Sequence, residues 1–173
     1  NGMQYTKDFK GVVPLVAEEV FNARSIHKKL MISAQKSGNK QEETLQNVLQ
    51  MSKKIAINSL YGILGNRFFR YYNLDNAEAV TRSGQLAILW IERKLNEFFN
   101  NSLGISKDRC IAIDTDSVYF CLEDLVNKHM KGWSDEKIVD SLDKFTKEKI
   151  EPYINKSYAE LAEYTNAYEQ KMT

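Results

Sequence analysis

Cysteine and proline are scarce in this 173-residue sequence, two of each, and long apolar runs are missing altogether. Two cysteines do not make a disulfide framework. Apolar runs, such as Ile111 to Ile113, fall far short of the roughly 18 residues a membrane helix needs, and no basic-then-apolar signal pattern opens the chain. Net charge is also nearly absent, at +1, so the total points to no partner. With 43% hydrophobic and 27% charged residues, disorder and collagen-like structure are excluded. A water-phase globular unit with a real core is expected, either a whole domain or, since the sequence opens on Asn1, a piece of a longer chain.

What is present is unevenly distributed. Residues 1–102 hold 14 Lys and Arg against 9 Asp and Glu, a net +5, whereas residues 103–173 hold 10 against 14, a net −4. Ordinary scatter produces such a split, and so does a protein that holds an anion next to a cation site.

Periodicity organises the chain into helices around one ribbon. Pro14 suits a first helical turn, and apolar residues at helical spacing carry that helix to about Ser37, where Gly38-Asn39 stops it. A second pattern runs from about Gln41 to Leu64, so the two form an antiparallel hairpin with arms of about 35 Å. Arg67 to Tyr72 reads as a short strand, and Asp75 with Glu78 as the capping box of a third helix over 76–101. Residues 110–113 and 118–121 read as strands flanking the turn Asp114-Thr115-Asp116-Ser117. Helices are expected over 134–150 and 153–170, broken near Pro152.

Three clusters could do chemistry. Asp114 and Asp116, two apart on an extended chain, leave the backbone on the same side, and paired carboxylates suit Mg²⁺ or Mn²⁺. By itself, however, the tetrad reads as a turn before it reads as a metal site. Lys54, Asn58 and Tyr61 at i, i+4 and i+7 set a cation, an amide and a phenol in one stripe, with Gly65 a turn further on. Arg24 and Lys28 share a face of the first helix, thickened by His27 and Lys29, and their repulsion is relieved by an anion. Both stripes also read as solvated polar faces.

Taken together these motifs resemble family B DNA polymerases. Lys-x-x-x-Asn-Ser-x-Tyr-Gly at 54–62 followed about fifty residues later by strand, Asp-Thr-Asp-Ser and strand is the family's fingers motif and palm hairpin motif in order. Residues Val20 to Lys28, Arg70 to Leu74 and Leu89 to Lys94 look like the replicative polymerases of T-even-type bacteriophages in particular. The resemblance implies an α+β fold: a palm lead-in over 1–13, a fingers helical hairpin over 14–66, and a partial palm over 67–173 with its catalytic hairpin at 110–121.

It further implies catalytic and metal-ligating roles for Asp116 and, set further back from the ions, Asp114, with two Mg²⁺ or Mn²⁺ ions in the complete enzyme. Arg24, Lys28, Lys54 and Asn58 match residues that grip the incoming triphosphate. Tyr61 matches the aromatic under the nascent base pair, with Gly62 leaving space beside it; Ser59 and Thr115 match structural positions. Implied partners are primer-template DNA, a deoxynucleoside triphosphate and the remaining polymerase segments, with no membrane and a host-cytoplasmic location.

The departures from the pattern are equally specific. The family's other metal-binding aspartate stands in an Asp-x-x-Ser-Leu-Tyr-Pro-like motif, and no such motif occurs in these residues; neither does the exonuclease or the lysine- and tyrosine-containing motif before the thumb. The connection around Gly38 is shorter than in the best-known phage members. The expectation is a fingers-plus-partial-palm segment, inactive in isolation. The alternatives are a non-catalytic module that binds nucleotide or nucleic acid and a helical scaffold with vestigial motifs. Cys110 and Cys121 are expected opposite one another across the ribbon as free thiols.

Overall fold

The computed structural model describes residues 2–167. Within them the chain forms α1 (Val12–Ser37), α2 (Lys40–Leu64), α3 (Leu74–Leu103), β1 (Cys110–Asp114), β2 (Ser117–Phe120), α4 (Glu123–His129), α5 (Asp135–Phe145) and α6 (Glu151–Tyr164), with a π turn at Thr146–Ile150. It divides into two compact units, the first reaching Val80 and the second starting at Thr81. The expected α+β composition holds: a long helical hairpin in one unit, and a two-stranded antiparallel ribbon with helices in the other.

The hairpin turn follows from two adjacent residues. Gly38 takes φ 73° and its N–H reaches the Ala34 and Gln35 carbonyls, closing α1. Asn39 then caps α2 by accepting from the Glu42 N–H at 3.2 Å. Only glycine enters the left-handed region without cost. Gly38→Ala should therefore destabilise the hairpin by about 1 kcal/mol, read as a fall in helical circular dichroism midpoint on urea titration. The seam between the helices is unusually polar. Gln46 and Gln50 are buried, and Gln46 Oε1 accepts from His27 Nδ1–H at 2.7 Å while its Nε2 donates to Glu42 at 2.8 Å.

The expected strand at 67–72 is not formed. Asn66 turns the chain instead: its side-chain oxygen accepts the Phe68 N–H at 3.0 Å and its carbonyl the Phe69 N–H at 2.9 Å. A strand there would have needed a partner for its backbone groups, and consecutive turns satisfy them locally. Helix α3 begins two residues early because Asn73, not the Asp75/Glu78 box, caps it, accepting the Asn76 N–H at 2.9 Å.

The second unit packs on α3. Ala87, Ile91, Leu95, Phe99 and Leu103 step by four residues along a single ridge, buried against Leu125, Ile150, Tyr158 and Leu161. Polar ties cross the same contact: Trp90 Nε1–H donates to the Ser157 carbonyl at 2.9 Å, and Tyr153 O–H to the Lys94 carbonyl at 3.2 Å. Lys94 pairs with Glu160 at 2.9 Å, a bond that holds the Glu160 carboxyl below its ordinary 4.5. Asp108 is likewise held below 3.8, first by the Cys110 N–H and then by Asn96. Depressed carboxylates stabilise the fold above their unfolded values and lose that contribution as they protonate. The unfolding midpoint of this unit should accordingly fall as pH drops below about 4.5, and Glu160→Gln should blunt that fall.

Pro152 does not break the C-terminal helices as expected. The chain widens into the π turn immediately before it, relieving the clash between the proline ring and the preceding turn, and continues as α6. Helix α4 was not visible in the periodicity, and α6 ends at Tyr164; the remainder of the helix expected to 170 lies partly outside the described residues.

Candidate active site

The candidate residues fall in both units, five cationic or polar side chains in the first and two carboxylates in the second. In the first, Lys54, Asn58 and Tyr61 are all exposed on α2, whereas Gln46, Gln50, Ile57 and Leu60 turn toward the seam with α1. The stripe is thus polar and open, as its spacing predicts. On α1, Lys28 is exposed and Arg24 is half-buried, its Nε enclosed without a hydrogen-bond partner. The His27–Gln46 contact sets the level of the two helices. With residue 27 beside 46, Arg24 stands beside roughly residue 49, and Lys54 lies about 7 Å further along the axis. Both cationic stripes therefore belong to the same stretch of the hairpin. A Cβ built at Gly62 meets nothing within 4 Å, and at Gly65 only the Gly62 carbonyl at 3.8 Å. Nothing inside this unit requires either glycine.

In the second unit Asp114 pairs with Ser117, leaving Thr115 and Asp116 as a two-residue turn. The sequence placed both aspartates on extended chain. In fact Asp114 ends β1 and Asp116 sits in the turn, so strand alternation does not set their relative direction. Thr115 takes φ 49°, an uncommon conformation for a β-branched residue. The two hydroxyls of the tetrad explain its composition: Thr115 O–H donates to Asp114 Oδ1 at 3.1 Å and Ser117 O–H to Asp116 Oδ1 at 3.3 Å. Asp114, Thr115 and Asp116 are all exposed at the ribbon tip.

Hard carboxylate oxygens on an exposed turn are the donors that Mg²⁺ or Mn²⁺ takes, so the tip fits such an ion in kind. It does not suffice in number. Among the described residues no group of three or more His, Cys, Asp or Glu gathers around a common point.

Behind the tip, the expected pairing of Cys110 with Cys121 fails. A bulge at Ile111 shifts the register by one, so Cys110 faces Phe120 while Arg109 accepts the Cys121 N–H at 2.9 Å. Both thiols are free, and burial pushes that of Cys110 above its ordinary 9.0. The sequence reading also passed over Arg109, which is 2% exposed and buried beneath the ribbon among Asn100, Lys107 and Asp124. Nothing in the spacing distinguishes this arginine from a surface one.

No helix among the described residues is long and apolar enough to cross a membrane. Residues 2–159 match the family model of DNA polymerase family B. A DNA-directed DNA polymerase of Escherichia phage RB69 is 35% identical over 217 positions, covering 96% of this chain and 24% of the relative. That of Enterobacteria phage T4 is 46% identical over 134 positions, 75% of this chain and 15% of the relative. A DNA polymerase of Phaeocystis pouchetii virus is 32% identical over 122 positions, 64% and 11%. An alignment of 217 positions on 173 residues requires additional residues in the RB69 protein within the matched span. The chain spans about a quarter or less of the curated relatives it matches. With its two motifs in order and the family model covering nearly its whole length, the chain belongs to DNA polymerase family B.

Proposed function

We propose that this chain forms the fingers and part of the palm of a replicative DNA-directed DNA polymerase, working in the host cytoplasm with primer-template DNA and deoxynucleoside triphosphates. The observation that carries the reading is the pair of exposed carboxylates at the ribbon tip, supported by an open stripe of Lys54, Asn58 and Tyr61 in the family's own motif. Asp116 and Asp114 would hold divalent ions. When bound, Mg²⁺ or Mn²⁺ supplies activation of the primer 3′-hydroxyl and neutralises charge on the pyrophosphate leaving group.

The chain's own residues do the rest. Arg24, Lys28 and Lys54 offset the triphosphate's negative charge, and Asn58 donates a neutral hydrogen bond beside them. Tyr61 offers a ring to the nascent base pair, and the empty space at Gly62 admits the base-pair edge. The isolated chain is expected to be inactive.

The test is primer extension by this chain mixed with polypeptides supplying the missing palm, thumb and exonuclease segments. Template-directed synthesis is expected from the mixture and not from the parts; folded parts that yield no synthesis would sink the proposal. Gly62→Ala sharpens it. Because a methyl group there meets nothing and Gly is a poor helix former, folding stability should hold or rise by up to about 1 kcal/mol. Nucleotide KM in the assembled enzyme should nevertheless rise severalfold.

A further inference from the structure

The carboxylates at the ribbon tip have no packing of their own. Ile111 is 70% exposed, Tyr119 55% and Ile113 40%, and a two-stranded ribbon is marginal by itself. Only Phe120, 6.0 Å from Phe99 between ring centres, rests on the core. The ribbon's direction must therefore be set at its base.

The base is built around one guanidinium. Arg109 is 2% exposed and stands immediately before β1. Its Nη1–H donates to Asn100 Oδ1 on α3 and to the Lys107 carbonyl at 3.2 Å; its Nε faces Asp124 Oδ2, at the start of α4, at 3.4 Å. The Arg109 N–H donates to Asn96 Oδ1 at 2.9 Å, and its carbonyl accepts from Cys121 just after β2. Asn96 also donates to Asp108 Oδ1 at 2.8 Å, which in turn accepts the Cys110 N–H at 2.9 Å. Both ends of the ribbon are thereby fastened to α3 and α4.

This arrangement is not the cheapest one for stability. Nε and Nη2 are enclosed without hydrogen-bond partners, and a buried charge partly satisfied in this way is commonly improved by an apolar residue of similar volume. What an apolar residue could not do is fix three chain segments in one orientation. We propose that Arg109 is a positioning residue for the tip carboxylates, aiming Asp114 and Asp116 through the ribbon it anchors. The proposal rests on the reading of those aspartates as cation ligands.

It is tested on the whole 173-residue chain by two readouts, Mn²⁺ titration followed by electron paramagnetic resonance and amide hydrogen exchange. Arg109→Met should weaken Mn²⁺ binding about tenfold, as loss of a ligand's supporting contact does. It should also speed exchange of the amides at 111–119 by about tenfold or more while those of Ile91, Leu95 and Leu161 keep their protection. Arg109→Lys, which retains the charge without the fork, should recover part of both effects. Unchanged ribbon exchange in folded Arg109→Met would overturn the proposal. So would faster exchange that spreads equally to the core amides, since that is what a merely structural arginine produces. Should Arg109→Met fail to fold, Asn100→Ala, which removes one acceptor, decides by the same criteria. Asp116→Ala separates the two ideas: Mn²⁺ binding indifferent to it refutes the cation-ligand reading, while exchange still reports whether Arg109 holds the ribbon.

Discussion

Asp116→Ala is expected, on the proposed role of Asp116 in holding a metal ion, to lower primer extension by the assembled enzyme by about a thousandfold or more, since losing such a ligand removes several kcal/mol of transition-state stabilisation and each 1.36 kcal/mol is tenfold in rate. The fold gives no reason for the variant to unfold. Asp116 is exposed in the turn, and among the described residues its side chain accepts the Ser117 hydroxyl alone, at 3.3 Å. Asp116→Asn makes the comparison stricter, because it keeps the size and the acceptor while removing the charge. Single-turnover extension at saturating nucleotide, with the urea midpoint measured alongside, is the check. A fully folded Asp116→Asn enzyme within tenfold of the parent would remove Asp116 from the chemistry.

Phe99→Ala should cost the second unit about 3–5 kcal/mol, the range for emptying a fully buried aromatic site. Phe99 is 1% exposed, lies on the α3 ridge between Leu95 and Leu103, and meets Phe98 at 5.4 Å and Phe120 at 6.0 Å. That loss is a large part of the roughly 5–15 kcal/mol that holds a domain folded. Trp90 offers a local probe, since its indole donates to the Ser157 carbonyl and stacks on Tyr164 at 6.2 Å. Urea denaturation followed by Trp90 fluorescence in a Trp133→Phe background should show the shift. A change under about 1 kcal/mol would mean that the site collapses around the gap. Because Phe120 belongs to β2, a folded Phe99→Ala chain should also lose Mn²⁺ affinity at the tip, linking core packing to the candidate site.

The helical hairpin and the ribbon were legible because their signals are local. A glycine at 38 followed by a capping asparagine ends one helix and starts the next whatever surrounds them. The polar stripe of Lys54, Asn58 and Tyr61 is exposed as its spacing requires, and the tetrad turns where its residues favour a turn. The aromatic run at 67–72 misled for the opposite reason. Strand preference is realised only beside a partner strand, and here Asn66 offered the backbone a closer solution. Asn73 starts α3 two residues before the expected Asp75/Glu78 box by accepting the Asn76 N–H.

By itself, then, the amino-acid order determined the family, the residues that carry its motifs, and the long elements on which they stand, since each depends on neighbours within a few turns of chain. Tertiary structure decided the bulge at Ile111, the separation of the two cysteines and the burial of Arg109. Those depend on Asn96, Asn100 and Asp124, which lie 9 to 15 positions away and become neighbours only when α3 and α4 close on the ribbon. Hydrogen bonds to a buried guanidinium leave no periodic trace along the chain, so only the folded arrangement could reveal what holds the carboxylates in place.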